Sequence, residues 1–479
     1  MCMLLACLFG IITLQDFSNE NAPVITGAVV LGVTVALVIL LVSTKKMSWQ
    51  TAIYILFLIG LIVRILYVLY TPYNVRQHDV KLVTSGKGHM GYIQYIATNL
   101  ALPDTNKTWQ FYHPPLHHII AGGAYRIMSD AGLAAKEIAE KLQFITVFYS
   151  SLIMVFGDRL LAACKVSDRS RFFGDLLFAL HPTFVLLSGS LNNDCLATAL
   201  AIASLWFMAE WWHSGKTVHI FLCGLFLGLS MMAKLSGATL AFPFAFAFIW
   251  KLVQNRKKWK KSIAQYMIFG LISVPLGMWY PVRNLLKFGQ SFTYVPLLSV
   301  EANRSQYLEN ISAAQRTFLI PWHQLASPYQ TWPSNSEEAG YNIFMSLFKT
   351  SLFGEYSVKG GFWCYILLAT AFLLACLALF GLLYIFFKKK DASSEGFVLM
   401  WMILWTAIMF SFITFSFQYP FICSMDFRYL FLSLPFSAVF LAKLLDETNS
   451  KVLRIVVCCL LGVFAVSSYF VYGIPAVWE

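Results

Sequence analysis

The sequence contains few charged residues. Lys and Arg account for 35 of the 479 residues and Asp and Glu for 23, so charged side chains make up 12% of the chain. This is about half the share found in ordinary globular proteins. With 58% hydrophobic residues and a mean hydropathy of +0.67, the chain has too little charge to cover a water-facing surface. The composition excludes a soluble enzyme, a disordered protein and a nucleic-acid-binding module, and it indicates a polytopic membrane protein.

The sequence also lacks polar-apolar alternation and paired cysteines. Its apolar residues fall in unbroken runs and not in the alternating segments of a β-barrel, so the spans are predicted to be helices. The ten Cys include no Cys-x-x-Cys pair, and no disulfide framework is expected. The opening segment Met1–Leu14 has no charged n-region, which indicates a short first span or a retained anchor.

The apolar runs predict an all-α polytopic membrane protein with about 11–13 transmembrane helices. Basic residues cluster in alternate connections, which places those connections in the cytoplasm and explains the net charge of +12 without a nucleic-acid partner. Two long loops, 71–137 and 281–361, lie on the opposite face and are predicted to carry juxtamembrane amphipathic helices. The runs that follow the N-terminal one lie near residues 24–42, 51–70, 138–163, 172–188, 195–212, 218–233, 238–253, 263–280, 362–387, 397–417, 429–445 and 455–473.

The first long loop begins with charged groups close to the membrane. Arg76, His78 and Asp79 follow a span within one short segment. Two amphipathic helices are predicted after them, one over 88–97 and one opening at Phe111-Tyr-His-Pro-Pro-Leu-His-His118. An acid at the mouth of a span is costly unless it is paired or used, so Asp79 is predicted to be functional. The apolar residues of both helices are predicted to seal the loop against the bilayer.

These features resemble the integral-membrane glycosyltransferases of the GT-C class, in particular the bacterial relatives of protein O-mannosyltransferases and of the lipid A aminoarabinose transferase (glycosyltransferase family 39-like). In that class an acidic residue follows an early span, and the second of two juxtamembrane helices begins with x-Pro-Pro-Leu. Asp79 and His113-Pro-Pro-Leu116 correspond to these features. The similarity extends to Asn192-Asn-Asp194, Met232-Ala-Lys-Leu-Ser-Gly237, Tyr280-Pro-Val-Arg283 and Asp426-Phe-Arg-Tyr429.

The resemblance covers roughly residues 50–445. It implies additional spans in 1–50, a transmembrane catalytic module over 51–445 and a C-terminal span in 446–479. Within the module, loop 71–137 would be catalytic and loop 281–361 would form a donor or acceptor groove. Many relatives have Lys where His113 stands and a doubled acid where this chain has His78-Asp79, which leaves the donor contacts and any metal dependence open.

The resemblance also implies an activity. GT-C enzymes use a polyprenyl-phosphate sugar, which would be transferred with inversion to a glycan, lipid or protein acceptor at the outer face of the cell membrane, among membrane lipids. Asp79 would be the base that takes the acceptor's proton. The leaving phosphate needs fixed cations, for which the candidates are Lys234, Arg283, Arg428 and His113. Sugar or acceptor contacts are predicted for His78, Asn193, Asp194, Glu355 and Asp426.

Most of these candidates also have a structural interpretation. Lys234 and Arg283 would suit snorkelling side chains, and Arg428 would suit a pair with Asp426. Asn193 and Asp194 would suit an N-terminal cap of the next span. Arg64, inside a span, has no assigned role; it would pair with another span's acid or line the lipid groove.

Two further features leave alternatives open. His113 and His117 are spaced i, i+4 and could form half of a metal site, but no third ligand follows from the sequence. No cofactor is therefore assigned, and a divalent metal stays open. In the second long loop, segment 340–356 is predicted to be an amphipathic helix that lies along the membrane as a wall of the donor groove.

For the whole protein, the alternative function is a transporter or flippase of lipid-linked sugars, and a third is a catalytically inactive relative. Transporters carry their ionisable residues near the bilayer midplane on broken helices. Here these residues gather at span ends, which favours the transferase.

Overall fold

The computed structural model describes residues 22–474 apart from 298, 302, 309, 331–339 and 389–390. Within these ranges the chain is helical, and its only β-type pairing is a single antiparallel bridge between Tyr307 and Phe421. Nine of the described helices are long and apolar enough to cross a membrane, or ten if a bent pair counts as one span. The predicted all-α polytopic membrane protein is confirmed.

Eighteen α-helices are described. In chain order they are α1 (Ala22–Ser43), α2 (Trp49–Tyr70), α3 (Gly88–Asn99), α4 (Leu116–Asp130), α5 (Ala135–Ala163), α6 (Asp168–Leu180), α7 (Pro182–Gly189), α8 (Asp194–Ser214), α9 (Thr217–Ala233), α10 (Ala241–Gln254), α11 (Trp259–Phe288), α12 (Ala313–Phe318), α13 (Trp322–Leu325), α14 (Ile343–Phe353), α15 (Phe362–Lys388), α16 (Ala392–Gln418), α17 (Ser433–Glu447) and α18 (Lys451–Tyr472).

Each apolar run predicted after the N-terminal one corresponds to a helix or, for 172–188, to the bent pair α6 and α7. The runs 218–233 and 429–445 form helices of 17 and 15 residues, α9 and α17, which are shorter than a typical span. The predicted span Met1–Leu14 and two residues of the basic cluster 388–390 lie outside the described residues.

The helices pack in a connected bundle. Helix α8 packs between α5 and α9, and α9 packs on α11. A second group is formed by α15 with α17 and α18, and it joins the first through α6. Helix α1 lies at the periphery, because only 6% of its apolar window is buried.

A broken span connects the bundle to the loops on the face opposite the basic clusters. Helices α6 and α7 are bent by 40° where Pro182, which has no N–H, removes the helical donor of the Phe178 carbonyl. The fully buried Arg64 donates to the carbonyl oxygens of Phe178 at 2.9 Å and Ala179 at 2.6 Å, and to the hydroxyl of Ser150 at 2.7 Å. Arg64 thus replaces hydrogen bonds that water cannot supply inside a membrane, and it contacts no acid of the described chain.

The two juxtamembrane helices of the first loop differ in orientation. Helix α3 buries Met90, Tyr92 and Ile93 completely inside the protein, so the prediction that this face seals against the bilayer is wrong. Helix α4 instead turns Ile119, Ile120 and Ile127 outward, with 41%, 41% and 72% exposure, and buries its histidines. Its apolar outer face suits a helix that lies on the membrane surface.

Helix α14 is the amphipathic helix predicted in the second loop. The prediction that it lies along the membrane is wrong, because most of its residues are buried on both apolar and polar sides. Lys349 is 1% exposed and donates from Nζ to the carbonyl oxygens of Gln324 and Tyr329. The polar face of α14 therefore binds the surrounding loop and not water, which fixes the second loop on the bundle.

Candidate active site

The candidate base Asp79 lies in a tightly constrained loop after α2. Arg76, Asp79 and Lys81 all have left-handed backbone conformations, with φ of 53°, 58° and 64°. Non-glycine residues adopt this region at a cost that is common at functional sites. The amide of His89 donates to the Asp79 carbonyl at 2.9 Å. A Cβ at Gly88, which has φ of 68°, would lie 2.3 Å from that oxygen, so the first turn of α3 positions Asp79.

Asp79 is paired with a cation from the far end of the chain. Arg428 donates from Nη1 to Oδ2 of Asp79 at 3.0 Å and from Nη2 to the hydroxyl of Tyr429 at 3.2 Å. Asp426 binds only the backbone of Arg428, through Oδ1 and the amide at 2.7 Å. The alternative in which Arg428 simply pairs with Asp426 is therefore wrong for the two side chains.

The pair fixes the charge of Asp79. Burial raises the pKa of this carboxyl, but Arg428 and the nearby rings of His89 and His78 outweigh burial and lower its pKa to about 2. Asp79 is consequently a carboxylate at neutral pH and is able to accept a proton.

His78 lies between two further acids. Its Nδ1 is 3.4 Å from Oε2 of Glu355, and its Nε2 is 3.7 Å from Oδ2 of Asp426. Burial lowers the pKa of His78, but Asp426 and Glu355 together raise it above its ordinary value despite the nearby Arg428. The pKa of Asp426 is raised by burial and by Glu355, which outweigh its neighbours His78 and Arg428. The raised pKa favours the protonated imidazole, which lies between the two carboxyl groups.

These three residues also form the one group, within the part of the chain that the structure describes, that could hold a metal ion. Their ligand atoms lie within 4.8 Å of one another. However, the two carboxylates approach opposite ring nitrogens of His78, whereas a metal ion takes only one. The geometry fits an imidazolium better than a metal centre. The predicted half-site of His113 and His117 gains no third ligand among the described residues.

A second ion pair joins the ends of two spans. Lys234 pairs through Nζ with Oδ1 of Asp194, and their side chains are 13% and 2% exposed. Asn193 occupies the predicted N-cap position of α8, but its side chain makes no capping bond and instead donates to the carbonyl of Ala233 at 2.7 Å. Lys234 is paired and does not snorkel. Its Nζ lies 5.5 Å from the ring centre of Tyr429, next to the Asp79–Arg428 pair.

Behind Asp79, three histidines form a stack. The ring of His89 is 5.3 Å from His113 and 5.2 Å from His118, and His89 Nδ1 is 2.9 Å from His118 Nε2. Burial lowers the pKa of His89 to about 3 and that of His113 and His118 well below the ordinary range. The rings are therefore neutral at neutral pH. His113 is therefore not the cation that the sequence suggested.

Arg283 lies apart from these groups. It donates to the side-chain oxygen of Asn284 at 2.9 Å and to the carbonyl of Pro103 at 3.1 Å, and its guanidinium lies over Tyr280. None of its described contacts is with an acid. Arg283 therefore fastens the segment before the Pro-Pro motif to α11, and the snorkelling interpretation is not needed.

A small cavity lies beside His78 and Arg428. Helix α7, the end of α14 and residues 426–428 line it, together with Arg76 and Tyr356. Sequence reasoning selected the charged residues of 426–428 but missed the hydroxyl-bearing wall of α7, Thr183 and Ser190. The only signal for that wall was the His181-Pro182 break, which ends α6 and starts a new helix at this depth.

Comparisons with known proteins agree with this architecture. The model of the family described as dolichyl-phosphate-mannose-protein mannosyltransferase matches residues 113–279, a segment that includes Asp194 and Lys234 but not Asp79 or Arg428. No curated protein matches the chain.

Two solved structures have a similar fold. ArnT from Cupriavidus metallidurans in the apo state is 14% identical with a TM-score of 0.51, and the match covers 89% of this chain and 77% of that one. The oligosaccharyltransferase of Archaeoglobus fulgidus, tethered with an acceptor peptide, is 14% identical with a TM-score of 0.50. That match covers 90% of this chain but only 55% of the oligosaccharyltransferase. The family match and the shared fold confirm the resemblance to the GT-C class.

Proposed function

We propose that the protein is a GT-C-type glycosyltransferase that moves a sugar from a polyprenyl-phosphate donor to an acceptor hydroxyl at the outer, non-cytoplasmic face of the cell membrane. The observation that carries this proposal is the contact of 3.0 Å between Asp79 and Arg428, with the Lys234–Asp194 pair beside it. It places a carboxylate that can take a proton next to a cation that can take a phosphate. The description of the matching family, which names a lipid-phosphate sugar, supports the class of donor.

The proposed reaction is a single displacement. The acceptor oxygen attacks the anomeric carbon while its proton passes to Asp79, a step for which such a base contributes about 10²–10⁴-fold. The bond between the anomeric carbon and the phosphate oxygen breaks, and the lipid phosphate leaves with the electron pair. Because the acceptor enters opposite the leaving group, the anomeric configuration inverts. Arg428 and Lys234 would stabilise the charge that grows on the phosphate.

The donor would also activate the base. Without donor, Arg428 helps to hold the pKa of Asp79 at about 2, where the carboxylate is a weak base. A phosphate that draws the guanidinium toward itself weakens that contact, and the pKa of Asp79 rises in the complex. Asp79 therefore becomes a better base when the leaving group is in place.

The other predicted residues take supporting positions in this proposal. His78 and Asp426 border the cavity, with Glu355 beside His78, and are proposed to meet sugar hydroxyls. Asn193 and Asp194 are already bound to Ala233 and Lys234, so they would act by holding the cation in place. Of the remaining two phosphate candidates, His113 would donate a hydrogen bond from a neutral ring. Arg283 would act indirectly, because its contacts order the adjacent loop. No step requires a metal ion.

The proposal is tested with purified protein in nanodiscs and a panel of farnesyl-phosphate sugars carrying mannose, glucose, galactose or arabinose. Release of farnesyl phosphate is followed by mass spectrometry, with water or an added membrane extract as acceptor. Asp79→Asn is expected to reduce release about 100-fold or more. Asp130→Asn, in the same loop at an acid that is 71% exposed, is the matched control and should leave release unchanged. Wild-type release by Asp79→Asn would contradict the assignment of the base.

The same preparation in sealed vesicles tests the flippase alternative. A transferase releases farnesyl phosphate and forms a glycosidic product or free sugar. A flippase would instead carry a fluorescent farnesyl-phosphate sugar to the inner leaflet without releasing phosphate. Translocation without release would favour the flippase.

A further inference from the structure

The second long loop carries an apolar segment, residues 318–325, that has no part in the candidate site. We propose that this interfacial segment docks in the leaflet opposite the basic connections, with Phe318 and Trp322 at the boundary between lipid headgroups and acyl chains. The partner is a lipid surface, and the segment attaches the loop to the membrane in addition to the spans. The proposal does not depend on the proposed transfer of a sugar.

The first observation is the exposure of the apolar side chains in the interfacial segment. Phe318 and Trp322 are 83% and 84% exposed. The other apolar side chains are between 41% and 49% exposed, and they are Leu319, Ile320 and Leu325. The segment contains no Asp, Glu, Lys or Arg. A contiguous exposed apolar patch marks an interaction site, and Trp is enriched where a bilayer meets water.

The second observation is that the interfacial segment is fastened to the ends of two spans. Just before it, the buried Arg316 donates to the carbonyl oxygen of Ser416 at 2.8 Å and lies 4.9 Å from the ring centre of Phe417. Both partners belong to the last turn of α16. Just after the segment, the carbonyl oxygen of Ala326 accepts from the hydroxyl of Tyr365, in the first turn of α15, at 3.1 Å.

The lengths of these two spans give the depth of the attachment points. Helices α15 and α16 have 27 residues each and are therefore about 40 Å long. A bilayer has a hydrocarbon core of about 30 Å and measures about 40–45 Å with its interfacial regions. The attached span ends therefore lie in the interfacial region. The apolar surface of the segment continues the lipid-facing surface of the spans, where Phe362 and Phe410 are both 72% exposed, and this continuity favours lipid over a protein partner.

The third observation is that the backbone of the interfacial segment is bound to α14. Asn342, the N-cap of α14, donates from Nδ2 to the carbonyl oxygens of Thr317 and Leu319 at 3.3 and 3.0 Å. Lys349 of the same helix donates to the carbonyl oxygen of Gln324. The backbone carbonyls thus bind the protein while the apolar side chains stay exposed. Docking of the segment would therefore fix the position of α14 relative to the bilayer.

Photo-crosslinking in nanodiscs of phosphatidylcholine tests the proposal. The photoreactive residue p-benzoylphenylalanine is placed at Phe318 or Trp322, and lipid adducts are measured by mass spectrometry after irradiation. Tyr54, 70% exposed within α2, gives the reference for a lipid-facing position. Glu301, an exposed acid in the same loop, is the control. An apolar side chain of this size favours lipid over water about tenfold or more, so adducts at 318 and 322 should exceed those at 301 by about that factor.

Two results of this experiment would overturn the proposal. Adduct yields at 318 and 322 as low as at 301 would mean that the interfacial segment faces water. Crosslinking of one chain to another, seen as a species of twice the mass, would mean that a second copy of the protein covers the segment.

A charge placed in the interfacial segment gives a second test. Trp322→Glu should lower the lipid adduct of a probe at Phe318 several-fold, whereas Trp322→Tyr keeps an interfacial aromatic side chain and should preserve it. Because Trp322 is 84% exposed, both variants should keep the wild-type thermal stability in detergent. An unchanged adduct in Trp322→Glu would contradict docking through these side chains.

Discussion

The guanidinium of Arg428 donates to Oδ2 of Asp79 at 3.0 Å, although 349 positions separate the two residues in the sequence. Asp426 holds the backbone amide of Arg428 at 2.7 Å, which directs the side chain away from its nearest acid and across to the first loop. Two segments that lie far apart in the sequence therefore meet at the candidate base. The charge state of Asp79 depends on a residue that no local motif connects to it.

Arg428→Gln is expected to lower the rate of transfer about 100- to 1,000-fold, as for the loss of one donor to a developing anion. It should also change the pH profile. Arg428 is the largest favourable influence on the pKa of Asp79, so its removal raises that pKa from about 2. The base must be ionised, and the acid limb of kcat/KM therefore moves to higher pH. An unshifted acid limb would show that Asp79 is not the titrating base; Arg126→Gln, on the exposed side of α4, is the control.

Gly88→Ala is expected to reduce activity by displacing Asp79. A Cβ at this position would lie 2.3 Å from the Asp79 carbonyl oxygen. Gly86 has a similar φ, 63° against 68°, but nothing within 4 Å of its Cβ position. Both substitutions cost about 1 kcal/mol for the left-handed conformation. Only Gly88→Ala should therefore lower kcat at saturating donor, and equal kinetic effects of both variants would contradict this role of Gly88.

The spans and the order of the motifs were predictable because both depend on local composition. Runs of apolar residues encode the helices, and basic clusters encode the alternate connections. The pairing of Arg428 with Asp79 was not predictable in this way, since Asp426 is the nearer acid in sequence. The neutral state of His113 also depends on burial by α3 and α4, which no spacing reveals.

Helix α14 shows why amphipathic patterns misled the prediction of depth. Its polar residues Ser346, Lys349 and Thr350 suggested a face toward water, with the apolar face in the membrane. In the structure both faces are inside the protein, because Lys349 binds loop carbonyls and Thr350 accepts from the amide of Phe427 at 2.9 Å. A helix inside a polar loop gives the same periodicity as a helix at an interface, so the pattern alone cannot separate them.

The Lys234–Asp194 pair is expected to be structural as well as catalytic. Lys234→Met leaves Asp194, only 2% exposed, without its counter-ion and should destabilise the fold by about 3–5 kcal/mol. The double variant Lys234→Met with Asp194→Asn removes both charges and should recover most of the thermal stability in detergent. It should not recover transfer if Lys234 meets the phosphate. Recovery of both would assign the pair to structure alone.

His78 should make the stability of the protein fall as pH rises. The pKa of His78 is raised in the folded state because Asp426 and Glu355 outweigh burial and Arg428. The stabilisation from this imidazolium is therefore complete below the unfolded pKa of about 6.5 and is lost as pH rises through the higher folded value. His78→Gln should remove this loss from the curve of Tm against pH. A curve of Tm against pH that His78→Gln leaves unchanged would contradict this role of His78.

Removal of metal should not affect transfer. Glu355 and Asp426 approach opposite nitrogens of His78, an arrangement that a protonated ring satisfies without an ion. Release of farnesyl phosphate from the donor is therefore expected to be the same before and after dialysis against a chelator. It is measured by mass spectrometry on the same sample. Activity that disappears with the chelator and returns with added zinc or manganese would instead establish His78, Glu355 and Asp426 as ligands.

Arg64→Leu is expected to destabilise the bundle without altering the chemistry of the site. Arg64 supplies the donors that the break at Pro182 removes, and its loss leaves the carbonyls of Phe178 and Ala179 unsatisfied in a region without water. The cost should be about 3 kcal/mol, measured as a fall in thermal stability in detergent. Arg64→Lys keeps one donor group and should lose less. Because Arg64 lies within α2 and none of its described contacts is with Asp79, the folded fraction of either variant should retain the wild-type KM for donor. A changed KM at full folding would show that the broken helix also controls the geometry of the cavity beside His78 and Arg428, which α7 lines.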